Sequence, residues 1–230
     1  MLLRTLLGLS LLVPQLTLAD NLRSAVAKVE SFWRAGRVPV AVFDLDETLV
    51  NSHFRKWLSY RDAIEVLKAQ YPKEAKASAA LTIYDLTDAA NGYDIGEIFA
   101  RVGVFNSAFI KEVDAVMLPI YLSDKYMGFD SEIPCATAFL RELQQRGVFV
   151  YFISSRYKDT QYEATVRSLH RMGMVRKGDL HEVVLRPRGM SSIDFKTQSF
   201  QRIAKRDVAL AFENEPENLN AMGDAFGAGL

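Results

Sequence analysis

The chain has 230 residues, 49% hydrophobic and 24% charged, with 28 basic residues set against 28 acidic ones. That composition belongs to a folded protein with a core; it excludes low-complexity and collagenous classes, at 13 glycines and 7 prolines, and leaves no net charge to draw the whole molecule onto a nucleic-acid polymer. The single cysteine, Cys135, excludes an internal disulfide and a multi-cysteine zinc or iron–sulfur site, and with only His53, His170 and His181 beside it a metal would have to be held by oxygens.

Residues 2–18 carry one charge, Arg4, and are followed by Ala19 and Asp20. This reads as a secretory signal over residues 1–19, with Thr17 and Ala19 as the small residues of a cleavage site. The rival readings are an uncleaved anchor and a buried N-terminal helix; Pro14 and a length short of the roughly 20 residues needed to cross a bilayer argue against the segment being a stable transmembrane helix, so no stable span is expected after cleavage. Leu22, Val26, Val29 and Trp33 recur at helical spacing before Gly36, which predicts an amphipathic lead-in helix. Val38–Leu45 is an apolar, β-branched run that turns acidic at its carboxyl end, the pattern of a buried parallel strand emerging into a site.

Residues 52–128 then break the pattern with helical, aromatic-rich sequence and a turn at Asn91-Gly92; they are expected to form a cap inserted after the first strand. Further strands are predicted at Val148–Ser154, more weakly at His181–Leu185, and at Val208–Phe212. Between them lie a helix opened by Pro134 and stopped before Gly147, one capped by Asp159 and ending near Met172, one from about Asp194 to Lys205, and a short one from Pro216. Strand and helix alternating in this way predict an α/β fold: a three-layer, Rossmann-like parallel sheet with helices on both faces, built from residues 20–51 and 129–230.

Polar groups fall at the carboxyl ends of three of these strands: Asp44 and Asp46, then Ser154, then Glu213 with Asn214. In a parallel sheet those ends meet at one crevice, and paired carboxylates beside a third acid suit Mg²⁺, which would relieve their repulsion.

Asp44-Leu45-Asp46-Glu47-Thr48 resembles the DxDxT signature of haloacid dehalogenase-like (HAD) phosphatases, and later segments follow in that family's order. Ile153-Ser154-Ser155-Arg156 resembles the second motif, Lys196 is the candidate for the third, and Glu213-Asn214 followed by Asn218 resembles the acidic fourth. The signal segment and the wording around Asp44 are similar to those of exported bacterial class B and C acid phosphatases. With no room after the fourth motif for the additional strand that many members of that family append, the resemblance implies a short sheet in the spatial order 3-2-1-4. The resemblance implies a phosphomonoester hydrolase in which Asp44 attacks phosphorus, Asp46 moves the proton, Ser154 and Lys196 hold the phosphoryl group, and Mg²⁺ binds Asp44, Asp46 through its backbone carbonyl, and Glu213 or Asn214. Thr48, Ser155, Arg156 and Trp57 are the further candidates for substrate contact. Arg188, Arg202 and Lys205 compete with Lys196, and Phe54, Trp57, Tyr60, Tyr84 and Tyr93 could as well be the cap's own core as a substrate pocket. Asn214, where an Asp is commoner, keeps open a second reading, a weakly catalytic relative that binds a phosphorylated ligand or partner.

Overall fold

The computed structural model describes residues 23–86 and 95–227; the signal segment, Asn91-Gly92 and Tyr93 lie outside the described residues. Strands β1 (Val40–Phe43), β2 (Val50–Asn51), β3 (Ser131–Glu132), β4 (Phe149–Tyr157), β5 (His181–Arg186) and β6 (Val208–Phe212) form two sheets. The larger is parallel, in the order β5-β4-β1-β6, which is the 3-2-1-4 order expected. The smaller is an antiparallel pair, Val50 opposite Glu132 and Asn51 opposite Ser131, at the point where the chain leaves the core and returns to it.

Each central strand sends alternate side chains to opposite faces. Ala41, Phe43, Val150 and Phe152 join a cluster with α1 (residues 23–34), α6 (Ala136–Gln145) and α7 (Lys158–Arg171), while Val40, Val42, Tyr151 and Ile153 join one with α8 (Ser192–Ile203) and α9 (Pro216–Phe226). Both faces are covered, so the strands read as continuous apolar runs; burying each Phe contributes about 1.5–3 kcal/mol. Gly147 stops α6 in the left-handed region at φ +73°, and a Cβ there would come within 3.2 Å of the Trp33 ring, whose Nε1 donates to the Arg146 carbonyl at 2.8 Å.

Between β2 and β3 lie α2 (His53–Leu67), α3 (Pro72–Ser78), α4 (Ile95–Ala100) and α5 (Ser107–Tyr121). They share a cluster of their own around Tyr60, Ala63, Phe99, Phe109 and Val113. Asn106 begins α5 by accepting the N–H groups of Ala108 and Phe109, both at 3.2 Å.

Two local expectations are corrected. Strand β4 runs past the expected end at Ser154 through Ser155 and Arg156 to Tyr157, with its pairing to β5 irregular between Ser154 and Tyr157, so the whole second motif lies within the strand. Asp159 does not cap α7; it lies in the first turn and pairs with Arg188, while Gln161 accepts the Tyr157 N–H at 2.8 Å.

Candidate active site

The chain leaves β1 through a tight turn in which the Leu45 carbonyl accepts the N–H groups of Thr48, Leu49 and Val50 at 3.2, 2.9 and 2.8 Å. Glu47 within it has φ +60°, a left-handed conformation that costs a non-glycine residue on the order of 1 kcal/mol. Its side chain offsets that strain: the carboxylate accepts the Ser52 N–H at 3.1 Å and the Ser52 hydroxyl at 2.7 Å, and lies 3.0 Å from His53 Nε2. The turn exists to present the two acids that precede it, Asp44 and Asp46, to a cleft of about 870 Å³.

Asp44 is 7% exposed, and Lys196, reaching from α8 and 1% exposed, donates to its Oδ1. The same ammonium donates to the Ile153 carbonyl at 2.9 Å and to Glu213 Oε2 at 2.7 Å, so all three of its protons are placed. Burial pushes the Asp44 carboxyl up to about 7; Lys196 opposes that and Glu213 adds to it. Burial works against the Lys196 charge, but Asp44 and Glu213 outweigh it and hold the lysine protonated.

Asp46 has a different setting. Arg156, 3% exposed, clasps it with Nε on Oδ2 at 2.8 Å and Nη2 on Oδ1 at 2.7 Å; Arg55, fully buried on α2, adds Nη2 on Oδ1 at 2.5 Å. Burial alone would raise this carboxyl, but the Arg156 and Arg55 charges prevail and hold it well below the usual carboxylate range. Behind the arginines lies Asp130, 1% exposed, whose Oδ2 accepts from Arg156 Nη2 at 2.8 Å and whose Oδ1 stands 2.9 Å from Arg55 Nε, an ion pair with the N–H aimed off line.

The structure brings Asp44, Asp46, Ser154, Ser155, Arg156 and Asn214 to one cleft. Ser154 Oγ is 3.5 Å from Asp46 Oδ2, and Ser155 and Ser192 share a hydroxyl contact at 2.5 Å. Thr48 does not line the cleft; its hydroxyl donates to Asn214 Oδ1 at 3.2 Å and so ties the first motif to the fourth. Trp57 is turned away from the cleft, packed on Phe54 at 5.3 Å between ring centres and donating to the Leu81 carbonyl at 3.4 Å. Of the aromatic candidates among the described residues only Tyr60 faces the cleft; Phe54 packs on Phe129 and Tyr84 is exposed. Among the rivals of Lys196, Arg188 and Arg202 make exposed pairs with Asp159 and Glu182, and Lys205 is exposed.

Glu213 is engaged from both sides: Oε2 by Lys196, Oε1 by the N–H groups of Asn214 and Glu215 at 3.1 and 3.2 Å. Of the fourth motif, Asn214 and Asn218 line the cleft and Glu213 does not. Among the described residues no group of three or more His, Cys, Asp or Glu side chains converges on a common point. The oxygens of Asp44, the Asp46 carbonyl and Asn214 suit a hard divalent cation in kind, with Asp44 as the carboxylate and Glu213 a further negative charge behind it.

Arg55, Asp130 and the cleft residues Lys56, Tyr121 and Arg186 were not anticipated from sequence. For Arg55 a signal exists: Arg55, Ser59, Ala63 and Leu67 fall four apart on the buried stripe of α2, where a charge persists only if it is paired.

A parallel α/β sheet thus gathers an Asp-x-Asp-x-Thr turn, a strand-end serine, a buried lysine and an acidic fourth motif at its carboxyl edge, and its fold is similar to that of haloacid dehalogenase-like (HAD) hydrolases. Residues 126–226 match the family model described as HAD superfamily, subfamily IIIB (Acid phosphatase). Solved structures similar to it include a haloacid dehalogenase-like family hydrolase from Streptococcus pneumoniae, with a TM-score of 0.52 and 15% identity over 83% of this chain and 82% of that one. A haloacid dehalogenase-like hydrolase from Bacteroides fragilis gives 0.50 and 15% over 83% and 85%. The class C acid phosphatase from Bacillus anthracis with tungstate bound gives 0.46 and 16% over 86% of this chain, which spans 62% of the length of that protein. No curated protein matches the chain in sequence.

Proposed function

We propose that the chain is an exported, Mg²⁺-dependent phosphomonoester hydrolase that works through an aspartyl-phosphate. The observation that carries this is the buried Asp44–Lys196–Glu213 triad at the end of β1: a carboxylate whose position is fixed by an ammonium, in a cleft large enough for a small phosphoester. An Asp44 oxygen attacks phosphorus as the ester P–O bond breaks; Asp46, which Arg55 and Arg156 keep ionised in the free site, takes the phosphoryl proton of the bound monoester monoanion and passes it to the departing alkoxide. Water then attacks the acyl-phosphate phosphorus, returns a proton to Asp46, and the bond from Asp44 to phosphorus breaks to release phosphate. Lys196 neutralises the charge that develops on the phosphoryl oxygens, and the Ser154 hydroxyl donates to one of them. Mg²⁺, held by Asp44, the Asp46 carbonyl and Asn214, with Glu213 adding negative charge from behind, would supply further positive charge to the phosphoryl group.

Turnover of an aryl phosphate with and without Mg²⁺ tests this. The expected result is activity that requires the ion and falls by several orders of magnitude in Asp44→Asn, a nearly isosteric change that removes the nucleophile. A folded Asp44→Asn protein with near-wild-type turnover would eliminate covalent catalysis.

Residues 52–128 are proposed to act as a cap over the core site. Export rests on the signal-like residues 1–19, and no helix among the described residues is long and apolar enough to cross a membrane. The mature chain is expected to begin at Asp20, which mass spectrometry of protein made in a bacterial host would read directly; an intact Met1 would contradict it.

A further inference from the structure

We propose that Arg55 and Asp130 are positioning residues for Asp46, so that the pose of the proton donor is set from the helical segment between β2 and β3 and not by the α/β core alone. This rests on Asp46 being the proton donor. Arg55 is the third residue of α2 and Asp130 directly precedes β3, so the two flank the points where the chain leaves the core and returns to it. Arg156, by contrast, belongs to the core strand β4.

The four side chains form one circuit of two positive and two negative charges, with Arg55, Arg156 and Asp130 buried and Asp46 half-buried at the cleft. Asp46 Oδ1 receives one arginine from each part of the molecule, Arg55 at 2.5 Å and Arg156 at 2.7 Å. Asp130 does not touch Asp46. It holds the guanidinium groups that do, accepting from Arg156 Nη2 at 2.8 Å and lying 2.9 Å from Arg55 Nε. Arg55 is fixed in turn by Tyr121 at the end of α5: its guanidinium lies 4.4 Å from the ring centre, and the phenol hydroxyl bonds Ser52 Oγ at 3.0 Å. Any displacement of α2 and α5 against the sheet must therefore break the Arg55–Asp46 contact or turn the Asp46 carboxylate with it. A largely buried four-charge circuit is a poor source of stability compared with apolar packing, but it fixes orientation, because each guanidinium fork accepts only a narrow set of carboxylate poses. An acid that must meet a leaving oxygen within hydrogen-bond reach needs such a constraint.

The test compares kcat and KM of Arg55→Met, Arg55→Lys, Asp130→Asn, Asp46→Asn and the double variant Asp46→Asn with Arg55→Met, on one aryl and one alkyl phosphomonoester, with circular dichroism to establish folding. Arg55→Met is expected to lower kcat on the alkyl ester by roughly 10²-fold, much less on the aryl ester, with KM changed only a few-fold. Arg55→Lys keeps the charge and should recover part of the loss, and Asp130→Asn should show the same leaving-group pattern more weakly. The double variant is expected to be no slower than Asp46→Asn alone, since a residue that acts only through Asp46 has nothing left to position. If Arg55→Met does not fold, the Arg55→Lys and Asp130→Asn variants, each also combined with Asp46→Asn, give the same comparison. Equal losses on both esters, a change in KM alone, or a further loss in the Asp46→Asn background would overturn the positioning role. Asp46→Asn by itself separates the two claims: if it lacks leaving-group dependence, the proton-donor assignment falls and the positioning role with it. If it keeps that dependence while the Arg55 and Asp130 variants do not follow, only the positioning role falls.

Discussion

Asp44 and Asp46 are two residues apart in the chain, yet their surroundings pull them in opposite directions. Asp44 shares one lysine with Glu213, a buried triad with net charge −1, whereas the half-buried Asp46 shares two arginines with Asp130 in a circuit of net charge zero. Burial pushes the Asp44 carboxyl up to about 7 from its ordinary 3.8, and a lysine shared with Glu213 is too little to hold it down. The native state therefore binds that proton more tightly than the unfolded chain does. The stability contributed by this group is complete below about pH 3.8 and is lost as pH rises through about 7. Asp46, held below its usual range, has the opposite sign: it contributes stability above 3.8 that is lost as pH falls. Replacing Asp44 by Asn makes the triad neutral while Lys196 keeps Glu213. In metal-free buffer, Asp44→Asn is thus expected to melt at a higher temperature than wild type at pH 8, with the gap closing toward pH 4. The displacement from 3.8 to about 7 limits the effect to about 4 kcal/mol. Thermal unfolding of both proteins across that range checks it; a gap independent of pH would mean that Asp44 carries no unrelieved charge.

At the scale of elements, the sheet was legible because its signals are long and periodic. The apolar runs at Val38–Leu45, Val148–Ser154 and Val208–Phe212 overlap β1, β4 and β6; the alternation with amphipathic helices pointed to a layered parallel sheet, while its strand order came from the family resemblance. Helix ends fell within a few residues where a Gly or Pro marked them, as at Gly147 and Pro216. Strands β2 and β3, two residues each, are too short to show a period, and they form only because the segment between them returns to its starting point. Strand β4 outran its apolar stretch because Ser154 and Arg156, both buried, find partners in Asp46 and Asp130, which no local pattern announces. Lys196 stood among four cations in sequence, and what singles it out is long-range: its helix α8 packs on the sheet so that this side chain alone of the four is buried at the end of β1. Trp57 was misassigned for the converse reason, since its side of α2 packs on Phe54 and the segment around Leu81 and not on the cleft.

The whole molecule contains two cores flanking the parallel sheet and a third, separate one in α2, α4 and α5, and the cleft is assembled from both parts: Tyr60, Met117, Leu118 and Tyr121 from the helical segment, Asp44, Ser154 and Asn214 from the sheet edge. Because the third cluster shares no residue with the other two, damage to it should stay local. Phe109 is the sharpest probe, fully buried on α5 with ring contacts to Tyr71 at 5.3 Å and Phe99 at 5.6 Å between centres. Phe109→Ala removes those contacts and leaves a cavity, a change that costs about 3–5 kcal/mol where it acts. Hydrogen exchange is expected to accelerate in α2, α4 and α5 while β1, β4 and β6 keep their protection, as in a chain whose units open separately. Since α5 also supplies Met117, Leu118 and Tyr121 to the cleft, KM should rise for bulky phosphoesters more than for a small one, and kcat should fall through the loosened Tyr121–Arg55 contact. If exchange instead rose equally in β1 and β4, the helical segment and the sheet would form one cooperative unit, and residues 52–128 could not serve as a cap that changes specificity without changing the core.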